Sequence, residues 1–186
     1  FTRTYHRKDF ESQKVGKTIL DVIKENGEEV IAIGKITDLF SGRGITKSIY
    51  TQGNHDGIEK TIEAIEQNTQ GLIFTNLVDF DMLYGHRNNI DGYARALEHF
   101  DSKIPEIIDA MREEDMLIIT ADHGNDPSTP STDHSREYIP ILVYTKQSKG
   151  NVDLGIRDTF ADIGETVLDY LQLPKLETGK SFLKDL

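Results

Sequence analysis

Apolar residues in this chain alternate between two spacings. From Val15 to Asn26, the residues Val15, Ile19, Val22 and Ile23 fall at helical spacing, and Gly27 suits a left-handed stop. Val30-Ile-Ala-Ile33 is a short continuous apolar run, the pattern of a strand buried on both faces. The run leads into Gly34–Asp38, and the Gly-rich Ser41–Gly44 beyond it reads as a turn, since it lacks the lysine spacing of a phosphate-cradling loop. Asp56 with Glu59 predicts a capped helix through Ile58, Ile62 and Ile65. Leu72–Val78 is a second buried strand, followed by a loop from Asp79 to Asn88. Residues Ile90, Tyr93, Ala94, Leu97, Phe100, Ile104, Ile107, Ile108 and Met111 keep to one stripe of a long helix, which Pro105 is expected to kink or split. Met116–Ala121 is a third strand, and beyond a polar loop, Asp126–Glu137, Ile139–Tyr144 is a fourth. A last helix from Asp158 is expected to bury Phe160, Ile163, Val167, Leu168 and Leu171 before Pro174, and the tail to dock through Phe182 and Leu183. Helices alternating with strands predict an α/β fold, a largely parallel sheet flanked by helices.

Composition narrows the function classes. The formal charge of −11 argues against a nucleic-acid binder, which must neutralise phosphates with basic groups. An acidic protein that handles an anionic substrate needs local cations, and bound metal ions are one source. The absence of cysteine excludes disulfides and thiolate metal sites. No apolar run approaches the roughly 20 residues that span a bilayer, so no membrane partner is expected and a cytoplasmic location is the default. The chain opens at Phe1 in a polar, basic stretch, which reads as the interior of a longer protein.

The candidate chemistry lies in the loops that follow strands. In parallel α/β sheets such loops form the ligand sites. The first offers Asp79, Asp81 and His86, and the next offers Asp122, His123 and Asp126, with Asp133 and His134 further along. The strand Leu117-Ile-Ile-Thr120 runs directly into Asp122-His123-Gly124, which suits delivery of ligands at a strand end. Imidazole and carboxylate donors without thiolate suit Zn²⁺, Mn²⁺ or another first-row divalent ion. So many ligands exceed one four-coordinate site, and two metals roughly 3.5–4 Å apart serve phosphoryl chemistry.

These residues carry a resemblance. Asp81 with His86, Thr120-Ala-Asp-His-Gly-Asn125 and the later His134 resemble the metal-binding set of the alkaline phosphatase superfamily. Val78–Asn88, Thr132-Asp-His-Ser-Arg-Glu-Tyr138, Phe1-Thr-Arg-Thr4 and Gly34–Asp38 resemble the phosphopentomutase family within it. The resemblance implies an alkaline-phosphatase-like core and an isomerase that interconverts ribose 1-phosphate and ribose 5-phosphate, and the deoxyribose pair. It implies two Mn²⁺ ions, a phosphorylated Thr on the enzyme and a bisphosphate intermediate. Asp81, His86 and His134 would hold one ion, and Asp122 and His123 the other. The nucleophilic Thr and one further Asp have no counterpart here and are expected in an N-terminal half, the partner this chain would need for activity. Residues 1–12 would then be the end of a cap domain, and residues 13–186 the C-terminal part of the metal-binding core.

Lys35, Arg87, Arg136 and Arg3 are the candidates for binding substrate phosphate, with Arg7 beside the last. Arg87 and Arg136 each neighbour a proposed ligand, and Asp79 reads as a supporting or solvated carboxylate. His6, His55 and His99 read as structural or solvated. Two related readings compete: a cofactor-independent phosphoglycerate mutase, and a metal-dependent phosphatase that gives the phosphoryl group to water. From a different class comes a non-catalytic metal-binding module or regulatory fragment.

Overall fold

The computed structural model describes residues 16–148 and 150–186. The expected cap remnant, Arg3, Arg7 and the helix position Val15 lie outside the described residues. The chain divides into two compact units. The first takes its described residues from Phe1–Tyr50, Asn68–Thr75 and Lys149–Leu186, the second from Thr51–Gln67 and Asn76–Ser148.

The first unit is built on a parallel sheet. Its strands are β1 (Glu29–Ile33), β2 (Lys47–Ile49) and β3 (Gly71–Thr75), in the order β2-β1-β3. Only β1 has a neighbour on both sides, and Val30, Ile31, Ala32 and Ile33 are all completely buried, as a continuous apolar run requires. The β3 run, although equally apolar, is half-buried and ends at Thr75 rather than Val78. Strand β2 escapes the sequence pattern because it is short and opens on Lys and Ser. Its entry is set by Thr46, whose hydroxyl accepts from the Val30 amide at 2.9 Å and donates to the Val30 carbonyl at 3.1 Å, standing in for a ladder rung. A single turn of helix, α2 (Ile36–Leu39), follows β1, with Lys35 at its start.

Helix α1 (Ile19–Glu25) is opened by Thr18 and Asp21, which satisfy each other's backbone amides in a capping box. The buried Asp21 carboxylate also takes Arg43, with Nε at 3.0 Å and Nη2 at 2.9 Å. Burial pushes this carboxyl up, but the bonds from Thr18 and Arg43 outweigh it and hold it below the ordinary carboxylate range.

Helix α5 (Ala161–Tyr170) begins later than Asp158, and Phe160 at its N-cap is 59% exposed, so the expectation that Phe160 is buried fails. Its buried face is partly polar instead. Asp162 accepts from the Lys180 amide at 2.9 Å, Glu165 from the Leu176 amide at 3.1 Å, and Thr166 from the Phe182 amide at 3.0 Å. These acceptors pin the tail so that Phe182 is fully buried, with the Arg157 guanidinium 5.4 Å from its ring centre.

The second unit holds α3 (Asn54–Glu66), α4 (Ile90–Ala110), β4 (Met116–Thr120) and β5 (Ile141–Thr145). Helix α3 starts earlier than the Asp56–Glu59 pattern suggests, because Asp56 accepts from the Gln52 amide at 2.9 Å instead of capping. The Asp79 carboxylate caps the helix from outside, taking the Asn54 amide at 2.7 Å, while Asn54 Oδ1 accepts from the Asp79 amide at 2.8 Å. Helix α4 runs unbroken through Pro105 and buries Ile107 at the far end of its stripe, with Met111 just beyond, while Ile90 and Leu97 stay about half exposed. Strands β4 and β5 pair antiparallel, Met116 opposite Thr145 and Thr120 opposite Ile141, and so depart from the parallel pattern. No helix lies between them, and a strand that returns without a crossover comes back antiparallel. Among the described residues no helix is long and apolar enough to cross a membrane.

Candidate metal centre

Within the second unit, the chain leaves Val78 and tightens into a π-helical segment, Phe80–Tyr84, and then a 3-10 turn, Gly85–Arg87. The overwound and underwound turns place Asp81 and His86 side by side. His86 Nε2 lies 3.2 Å from Asp81 Oδ1, and His134 Nε2 lies 3.2 Å from the same oxygen. One ligand-type atom from each of the three residues falls within 4.8 Å of the others, a group that could hold a metal ion.

The supporting contacts explain why these atoms converge. His86 Nδ1 lies 2.5 Å from the Thr132 carbonyl, so Nδ1–H is spent on that oxygen and Nε2 keeps its lone pair for the Asp81 side. The Asn125 amide donates to Asp81 Oδ1 at 2.6 Å and fixes the rotation of the carboxylate. Gly85 is demanded here, because a Cβ would overlap the Asn125 side-chain amide. Asn88, left-handed at φ 48°, closes the 3-10 turn and sends its amide to the Pro127, Thr129 and Ser131 carbonyls at 3.3, 2.7 and 3.0 Å. That anchors the polar loop whose next residues are Thr132 and His134.

The two Asp-His pairs of the sequence are drawn together by a short antiparallel bridge between Gly124 and Ser135. The Ser135 amide donates to the Gly124 carbonyl at 3.1 Å, and the Ser135 hydroxyl accepts from the Asp126 amide at 2.8 Å. A Cβ on Gly124 would collide with the Ser135 carbonyl and the Glu137 carboxylate. The bridge stacks His123 on His134, ring centres 3.6 Å apart and planes at 19°. His86 stacks on the other imidazole, 4.9 Å from the His134 ring centre.

The sequence-predicted residues therefore sort themselves. Asp81, His86 and His134 share one point. His123 packs against His134 with its Nδ1 3.2 Å from the Gly124 carbonyl, and Asp122 stays exposed with Oδ2 3.6 Å from His123 Nε2. Asp126 bonds Ser128 through its carboxylate, and those bonds hold it below its ordinary range. Asp79 serves α3, as described above. Arg87 and Arg136 are exposed, Arg87 reaching no further than the His86 carbonyl at 3.4 Å. Lys35 belongs to the first unit.

Sequence reasoning did not assign Asn125, Asn88 or the Thr132 carbonyl any orienting role. It also placed Tyr93 only in the apolar stripe of α4. Burial pushes the Tyr93 phenol up, and the negative charges of Asp126 and Asp81 add to this, so the hydroxyl stays protonated beside the acidic cluster.

Comparison with known proteins shows the family. The chain is 58% identical over 183 residues to the phosphopentomutase of Acetivibrio thermocellus, covering 98% of this chain and 47% of that protein. It is 57% identical to the phosphopentomutase of Clostridium kluyveri, covering 100% of this chain and 48% of that one. The chain thus spans about half the length of the curated relatives it matches. Among solved structures, the phosphoglycerate mutase of Leishmania mexicana matches with a TM-score of 0.64 at 18% identity, over 87% of this chain and 38% of that one. The PH0037 protein of Pyrococcus horikoshii matches with a TM-score of 0.55 at 17% identity, over 68% of this chain and 40% of that one. Those two likenesses show a shared α/β fold. Residues 9–175 match the profile of the metalloenzyme superfamily, and the chain belongs to that superfamily as a homologue of phosphopentomutases.

Proposed function

We propose that this chain carries the metal-binding part of a cytoplasmic phosphopentomutase, which interconverts the 1- and 5-phosphates of ribose and deoxyribose. The observation that carries the reading is the approach of two imidazole Nε2 atoms to one Asp81 oxygen, each at 3.2 Å, in a chain so similar to phosphopentomutases. The donor set fits a first-row divalent ion, because two imidazole nitrogens and a carboxylate converge without thiolate. Two Mn²⁺ ions are proposed, one held by Asp81, His86 and His134, the other by Asp122 and His123 with ligands from the N-terminal half of the whole protein. When bound, such a pair neutralises phosphoryl oxygens and makes an acidic pocket a receptor for a sugar phosphate.

The residues of this chain set the stage for that transfer. Thr132 and Asn125 hold His86 and Asp81 in place, so little reordering is needed at the moment of binding. Arg87 and Arg136, each close in sequence to a proposed ligand, supply guanidinium groups that orient the phosphate. Lys35 and Arg3 are proposed as further phosphate contacts. The Thr that carries the phosphoryl group, and one more Asp ligand, are proposed to lie in the N-terminal half, with a bisphosphate linking the two ends of the exchange.

The test uses the whole protein that contains this segment, stripped of metal and reloaded with Mn²⁺. Ribose 5-phosphate, 3-phosphoglycerate and a simple aryl phosphate are offered in separate assays. Isomerisation of the pentose phosphate is expected to dominate, to vanish on chelation and to return with Mn²⁺. His86→Ala and His134→Ala are expected to lower it by about 100-fold or more. Preferred turnover of 3-phosphoglycerate, or release of phosphate to water as the main product, would reject the proposal.

A further inference from the structure

The second unit carries another pair of histidines that the metal centre does not use. His55 lies in the first turn of α3 and His99 midway along α4, and both rings are exposed. His55 Nδ1 stands 3.3 Å from His99 Nε2, with ring centres 5.3 Å apart and planes tilted by 53°. The tilt directs one nitrogen of each ring at the other instead of stacking the faces. On the far side of His55, Nε2 lies 3.4 Å from Glu59 Oε1, one turn along α3.

We propose that His55 and His99 form a second metal site, which takes Zn²⁺ or a similar borderline ion and clasps α3 to α4. Two nitrogens bound at about 2.0–2.1 Å across a tetrahedral angle stand about 3.3–3.4 Å apart. The observed separation of 3.3 Å matches the bite of such an ion. The carboxylate of Glu59, 3.4 Å from Nε2 of His55, favours the tautomer that carries its proton there, which leaves the lone pair on Nδ1, facing His99. A carboxylate behind a ligating imidazole is the usual arrangement of histidine metal sites.

Without metal, Nε2–H of His99 donates to that lone pair. With metal, His99 carries its proton on Nδ1 instead and presents Nε2, so the pair binds as two neutral rings and no proton has to leave. Water completes the shell, since both rings face solvent. The start of α3 places partial positive charge near His55, which opposes a cation. Asp56 in the same turn and Glu59 in the next offset it. Neutral imidazoles without a direct carboxylate ligand select Zn²⁺, Cu²⁺ or Ni²⁺ over the hard ions Mg²⁺ and Mn²⁺. This sets the site apart from the Asp81 cluster in both composition and preference.

The test is a titration of the ¹⁵N-labelled whole protein that contains this segment with ZnCl₂, read at the imidazole nitrogens, with MgCl₂ as the hard-ion control. His55 Nδ1 and His99 Nε2 are expected to shift together along one saturable curve, and Mg²⁺ is expected to move neither. The shifts should persist in the double variant His86→Ala, His134→Ala, which removes the other cluster. In His99→Ala the His55 response should be lost, and in Glu59→Gln the apparent affinity should fall by about 10-fold or more. Absence of a shift at either nitrogen up to millimolar zinc would overturn the proposal. So would a His55 response that survives intact in His99→Ala.

Discussion

Asn88 offers a direct test of how the candidate centre is held. Its side-chain amide has two hydrogens and faces three carbonyls, with Thr129 and Ser131 at good distances and Pro127 at 3.3 Å sharing one of them. Two net hydrogen bonds at about 0.5–1.5 kcal/mol each give about 1–3 kcal/mol for tying the loop to the 3-10 turn. The backbone at φ 48° and ψ 35° adds a second requirement. Asn88→Gly removes the side chain but keeps the left-handed conformation accessible. Asn88→Ala adds about 1–2 kcal/mol of strain because its Cβ meets the following carbonyl. Asn88→Asp keeps shape and backbone tolerance but turns a carboxylate toward three carbonyl oxygens, so it should loosen the loop most.

Amide exchange resolves these effects locally. The Thr129 amide is bonded to the Asp126 carbonyl, and the Ser135 amide to the Gly124 carbonyl. Losing about 1–3 kcal/mol of loop order should speed their exchange by about 5- to 150-fold in Asn88→Gly. Amides of β1 should not change, because β1 belongs to the other compact unit. Affinity for Mn²⁺ should fall in the same order, Gly least and Asp most, since the loop carries both His134 and the Thr132 carbonyl. If Asn88→Gly exchanges like the wild type, or if Asn88→Asp proves milder than Asn88→Gly, the loop is held by something else.

Two further outcomes follow from the first unit. Asp21→Asn should cost about 1–3 kcal/mol at neutral pH, measured by chemical denaturation, because it removes charge from a buried acceptor shared by Thr18 and Arg43. Since the folded carboxyl titrates below its unfolded counterpart, its stabilisation is complete above the unfolded value near 4 and is lost as pH falls through the lower folded value. The gap between wild type and Asp21→Asn should therefore close below about pH 4, and a gap that widens with acid would contradict the assignment. Phe182→Ala should cost about 3–5 kcal/mol, because the ring is fully buried and its backbone amide is fixed by Thr166. A loss under about 1 kcal/mol would mean the tail does not dock as described.

How much of this was legible in advance depends on where the information is stored. The β1 run predicted its own burial, because four consecutive apolar residues leave no face for water. The same reasoning overstated β3, because burial also needs neighbours, and among the described residues β3 is paired on one side only. The antiparallel return of β5 was present in the sequence as a missing crossover helix between Thr120 and Ile141, but the alternation of the preceding elements masked it. The polar face of α5 could not be read from periodicity. Asp162, Glu165 and Thr166 look like solvent positions until the tail brings backbone amides to them.

The candidate centre divides along the same line. Asp81, His86 and His134 were legible because imidazole and carboxylate are scarce, chemically specific groups, and their placement in loops after strands is visible in one dimension. The groups that aim them were not. His86 is oriented by a backbone carbonyl, which any residue at position 132 would provide, and the loop that positions that carbonyl is fixed by an Asn whose other common role is simply to turn the chain. Side-chain identity records which atoms can bind a metal, whereas tertiary contact decides which lone pair faces it. It follows that substitutions at Asn88 and Asn125, neither of which belongs to the Asp81–His86–His134 set, should change metal affinity in this chain, while Thr132→Ser, which keeps the carbonyl, should not.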